Sequence, residues 1–75
     1  MTARDRLHVL RRAVRDYPGP WRTGMAHRLY LAKGIAPQRR TAKLDLEALV
    51  AQGLLYRQGP RNDRRYFLKS IGGGR

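Results

Sequence analysis

The stretch IAPQRRTAKLDLEALVAQGLLYRQGPRNDRRYFLK, from Ile35 to Lys69, decides how this 75-residue chain folds. In its first half, Ala42, Leu46, Leu49 and Val50 fall within about 100° of each other on a helical wheel, which is the arc a core-facing helix needs. Pro37 suits a first helical turn and Gly53 a stop, so the pattern predicts a helix over 37–52, roughly 24 Å long at 1.5 Å per residue. Leu54 to Gln58 then reads as a strand, Gly59 to Asp63 as a turn, and Arg64 to Lys69 as the returning strand.

Towards the N-terminus the pattern is helical again. Thr2 and Asp5 are spaced like a capping box, with Asp in place of the usual Glu or Gln. Leu7, Leu10, Val14 and Tyr17 form an apolar stripe over Ala3 to Tyr17, with Ala13 beside it and Arg4, Arg11, Arg12 and Arg15 off it. Pro18-Gly19-Pro20 ends that helix. Trp21 and Arg22 read as a short extended link, or one edge strand. Thr23 is placed to cap a second helix from Gly24 to Ala32, with Ala26 and Leu29 inward and Gly34 as its terminator. The expected fold class is mainly α with a small antiparallel β-hairpin. One domain covers 1–71, and the glycine run over 72–75 reads as a flexible tail.

Composition narrows the function classes. Seventeen Lys and Arg face five Asp and Glu, a formal charge of +12. A field of that sign favours a polyanion, nucleic acid first and an anionic membrane surface second. Fourteen of the seventeen cations are arginine. The guanidinium suits bidentate contacts to phosphate and guanine. A G+C-rich coding sequence would give the same ratio, and the net charge stands on either account. Cysteine is absent, so disulfide and thiolate–zinc frameworks are excluded. Five acids and two isolated histidines, His8 and His27, form no catalytic or metal constellation, so neither enzyme activity nor a cofactor is expected. No apolar run approaches the roughly 20 residues of a membrane span, and a cytoplasmic, nucleoid-associated protein is expected.

Three helices followed by a hairpin is also the element order of a known family. Leu46-x-x-Leu49-x-x-x-Gly53-Leu54-Leu55 resembles the passage from recognition helix to wing in winged helix-turn-helix repressors. Asn62-Asp63-Arg64-Arg65 leading into Tyr66-Phe67-Leu68 resembles the wing of MarR-type regulators. The likeness covers about Trp21 to Lys69. The turn between the second and third helices, Lys33-Gly34-Ile35-Ala36, is longer than usual. The flanking MarR dimerisation helices are missing, which argues against a MarR-style dimer. The resemblance implies a winged fold that binds double-stranded DNA, with the third helix in the major groove and the hairpin on the minor groove or backbone.

Those roles select the candidate contacts. Pro37, Arg40, Thr41, Leu44, Glu47 and Ala51 point away from the core arc, with Gln38, Arg39 and Lys43 on its flanks. Recognition helices read bases from their N-terminal half, so Gln38, Arg39, Arg40, Lys43 and Leu44 are the base-reading candidates. Thr23 and Thr41 hydroxyls could add phosphate contacts, although Thr23 is better explained as a cap. On the wing, Arg61 and Asn62 fall at the tip, with Arg64 and Arg65 behind and Arg57 across the hairpin. One arginine is expected to be held by Asp63 and another free to enter a narrow minor groove. Tyr17, Trp21, Tyr30, Tyr56, Tyr66 and Phe67 read as core and rim residues rather than stacking platforms. Helix one and the Leu55–Tyr56 region are the candidate surfaces for a weak homodimer or tandem binding on DNA. The leading expectation is a small transcriptional regulator of bacterial, phage or plasmid origin. The alternatives are plasmid or phage maintenance, replication or DNA translocation, and RNA or ribosome binding.

Overall fold

A computed structural model describes residues 3–35 and 38–69. Three helices, α1 (Ala3–Asp16), α2 (Thr23–Ala32) and α3 (Arg39–Ala51), precede strands β1 (Leu55–Gln58) and β2 (Arg65–Leu68). The chain is mainly α with a two-stranded antiparallel sheet. Thr2, Pro37 and the glycine run over 72–74 lie outside the described residues, and with them the capping box, the expected first turn and the tail.

Element boundaries shift where capping chemistry differs from the sequence reading. Thr23 is the first residue of α2 rather than its cap; Arg22 is the N-cap and makes no side-chain capping bond. Similarly, Gln38 is the N-cap of α3 without a side-chain bond, and the helix proper begins at Arg39. Both C-termini follow the glycine signals closely. Gly34 has φ 65° and Gly53 has φ 83°, the left-handed region. The amides of Ile35 and Leu54 reach back to the carbonyls of Tyr30 and Leu49, and those of Gly34 and Gly53 to Leu31 and Val50. These paired bonds are Schellman closures, which satisfy carbonyls that the helix end would leave open. A Cβ on Gly53 would meet no atom within 4 Å. Any cost of substitution there therefore lies in the backbone angle. Gly53→Ala is expected to lower unfolding free energy by about 1 kcal/mol in urea denaturation; an unchanged midpoint would contradict this account.

Leu10 and Val14 of α1, Ala26 and Tyr30 of α2, and Ala42, Leu46 and Leu49 of α3 meet Trp21, Leu55 and Tyr66 in one buried cluster. Leu29 and Val50 pack against it from the edge. Two readings are corrected here. Tyr17 follows the end of α1 and is 50% exposed, so it leaves the apolar stripe. It meets the edge of Trp21 instead, ring centres 6.0 Å apart. Leu55 is core rather than contact surface, because the first strand residue faces α3. Tyr56, its neighbour on the opposite face, is exposed and stacks on half-buried Phe67 at 5.4 Å.

The hairpin pairs Leu55 with Leu68, Tyr56 with Phe67, Arg57 with Tyr66 and Gln58 with Arg65. Trp21 extends this sheet by a single antiparallel bridge, exchanging two 2.7 Å backbone bonds with Tyr66. The extended link thus ties the start of α2 directly to β2. At the far end, the Asp63 amide donates to the Pro60 carbonyl at 2.9 Å, closing a turn with Arg61 and Asn62 at its centre.

Asp45 is the one buried charged residue among those described, 4% exposed in the middle of α3. Arg6 of α1 grips it with Nε at 2.5 Å and Nη2 at 3.1 Å. The buried Tyr30 hydroxyl donates to the same carboxylate at 2.7 Å. One acid therefore joins all three helices. The bond to Asp45 raises the Arg6 guanidinium above its ordinary value, against the opposing effect of burial. Burial, then the bond to Asp45, raises the Tyr30 hydroxyl well above the ordinary tyrosine range.

Candidate nucleic-acid interface

A groove of about 380 Å³ opens between the first turns of α2 and α3 and the hairpin tip. Arg39, Arg40 and Lys43 supply the α3 wall; Arg61, Asn62, Asp63 and Arg64 supply the hairpin wall. Arg22 and Thr23, at the start of α2, close one end, with Tyr66 beneath. Six cations thus converge where the only lining carboxylate is Asp63. The N-terminus of α2 adds the partial positive charge of a helix start at the same place.

The structure brings together seven of the twelve candidate contacts: Thr23, Arg39, Arg40, Lys43, Arg61, Asn62 and Arg64. Gln38, Thr41 and Leu44 lie elsewhere on α3, outside the groove lining, Leu44 being 57% exposed. Arg57 and Arg65 also fall outside it, and strand alternation accounts for Arg65 alone. Arg57 pairs with Tyr66 on the sheet face that covers α3, and its guanidinium binds Glu47. Arg65 faces the other way and lies 3.6 Å from Asp63. Arg22 and Tyr66 were not among the candidates. The available signal for Arg22 was its place beside Thr23 at a helix start. For Tyr66 it was the strand period that puts it on the inner face.

Two carboxylates set the groove's shape. Asp63 binds Arg22 at 2.9 Å, joining the hairpin tip to the start of α2. Arg61 has no acid partner among the described residues, so Asp63 holds some arginines while the tip keeps an open one. The helical wheel alone predicts an outward-facing Glu47. It is instead half-buried under the hairpin, accepting from Arg57, from Arg64 at 3.3 Å and from the Tyr66 hydroxyl at 2.5 Å. Burial would raise the Glu47 carboxyl, but Tyr66 and the two arginines outweigh it and hold it below the ordinary value. Burial, then the bond to Glu47, pushes Tyr66 up to about 12.

The sign of the pH effect follows from these directions. A carboxyl depressed in the folded state stabilises it above its unfolded pKa, and that contribution disappears as pH falls through the lower folded value. Glu47→Gln is therefore expected to cost about 1 kcal/mol at pH 7, and progressively less as pH falls below the ordinary carboxyl range and the wild-type carboxyl itself takes up a proton. Urea denaturation across an acid pH series measures the difference. A gap that never narrows down to the acid unfolding of the wild type would show that the charge of Glu47 does not hold the hairpin.

Among the described residues, no cluster of three or more His, Cys, Asp or Glu is placed to hold a metal ion, and no helix is long and apolar enough to cross a membrane. No protein-family model, curated protein or solved structure gives a significant match to the chain.

Proposed function

We propose that this chain is a double-stranded DNA-binding module of the winged helix-turn-helix type, a binding protein rather than a catalyst, acting on the nucleoid as a small regulator. In this reading the first turns of α3 enter the major groove while the Pro60–Asp63 turn lies along the adjacent backbone or minor groove. The observation that carries it is the convergence of Arg39, Arg40 and Lys43 with Arg61 and Arg64 on one open concave surface. A helix wall and a hairpin wall of the same sign, braced by Glu47, suit two edges of one duplex. An isolated basic helix would offer only one. Phosphate contacts supply affinity, and Arg40, with Lys43 one turn further on, is placed to reach base edges.

Salt titration of duplex binding tests the reading directly. Six cations meeting phosphates give a slope of about −5 for log affinity against log salt. A slope near −1, or displacement by transfer RNA well below the concentration needed with duplex competitor, would refute it.

A further inference from the structure

A second cationic surface lies on the outside of α1. Arg4, His8, Arg11, Arg12 and Arg15 occupy an arc of about 100° on that helix, running roughly 16 Å along it. Buried Leu10 and Val14 occupy the opposite side. His8, Arg11, Arg12 and Arg15, with Asp16 at the margin, line a shallow hollow of about 310 Å³. Arg12 and Arg15 are exposed and have no acid partner among the described residues. Arg11 is bound by neutral Gln52 at 2.6 Å, which leaves its charge uncompensated.

This surface does not continue the groove. The α1 contacts reach α3 through Asp45 and Gln52, whereas the groove uses Arg40 and Lys43 and rests on Glu47. On the α3 wheel these two sets lie about 160° apart, so α3 separates the surfaces. A straight duplex seated in the groove cannot also follow α1.

We infer that the outer face of α1 holds the phosphate backbone of a second duplex, so that one molecule bridges two DNA segments. The inference rests on the proposed function for the first segment only. A 16 Å run of cations spans about five phosphates of one strand, at 3.4 Å of axis per phosphate. The face presents guanidinium groups without a protruding element that could enter a groove, so the second contact is independent of base sequence.

The test uses the full chain, one immobilised duplex and a second, fluorescent duplex of unrelated sequence. Arg12→Glu with Arg15→Glu is compared with wild type, and Arg12→Gln with Arg15→Gln serves as a milder pair; helical circular dichroism verifies folding. The expected result is that both pairs bind a single short duplex within about threefold of wild type. The Glu pair captures at least tenfold less of the second duplex, and the Gln pair falls between. Equal capture by wild type and the Glu pair would overturn the inference and assign bridging to self-association. Parallel loss of single-duplex binding would overturn it by making α1 part of one footprint. Preferential release of the second duplex by transfer RNA would assign the face to RNA. Absence of wild-type binding to any duplex would defeat the proposed function as well, whereas lost capture with intact single-duplex binding would defeat only the bridge.

Discussion

Asp45→Ala will lower the unfolding free energy by about 3 kcal/mol, a loss as large as that of truncating a core side chain. The carboxylate is the shared acceptor for Arg6 and the buried Tyr30 hydroxyl. Its removal strands a hydroxyl that water cannot reach and a guanidinium that is about one-quarter exposed. Breaking a fully buried pair costs about 3–5 kcal/mol, and the partial exposure of Arg6 puts the figure at the low end. Domains hold roughly 0.05–0.15 kcal/mol per residue, so about 4–11 kcal/mol is available here and the loss is a large share of it. The melting temperature should fall by about 15 °C. Asp45→Asn keeps an acceptor for Tyr30 and should lose less. A drop of under 0.5 kcal/mol for the alanine variant would mean that the triad contributes nothing to holding the three helices together.

Arg40→Glu combined with Lys43→Glu will weaken duplex binding by about two to three orders of magnitude at moderate salt. Each cation lost from a charged hydrogen bond costs about 1.5–3 kcal/mol, and two together exceed a hundredfold. Reversal adds repulsion against the phosphates on top of the lost contacts. Both side chains are exposed and line the groove, so the fold should survive. Arg11→Ala, on the far side of α3, should leave affinity for one short duplex within about threefold. Fluorescence anisotropy with a labelled duplex compares the three proteins. Similar losses in the two variants relative to wild type would mean that diffuse charge, and not the groove, provides the binding.

How much of this was legible in the sequence differs between the fold and the groove. Helical spacing, Gly34, Gly53 and the Gly59–Asp63 punctuation are local signals. They located three helices and a hairpin to within a few residues, because backbone conformation there is set by neighbours in the chain. Capping was read less well. Thr23 has a good capping side chain, yet the bridge between Trp21 and Tyr66 fixes where α2 begins, and that contact is remote in sequence.

The same division runs through the cations. Net charge and the basic character of α3 and the hairpin tip needed no coordinates, since they depend on composition and position alone. Which arginines remain available depended on three carboxyl groups distributed through space. Glu47 gathers Arg57 and Arg64 from across the hairpin, Asp63 takes Arg22 and Arg65, and Asp45 draws Arg6 inward. Asp45 falls about 40° outside the Ala42–Leu46–Leu49 arc, so neither its burial nor its partners, 15 and 39 positions away, show in the sequence. The chain by itself determined that this protein is small, helical and strongly cationic. Only the tertiary structure decided which positive groups share a surface, because ion pairing falls off with distance through space and takes no account of separation along the chain.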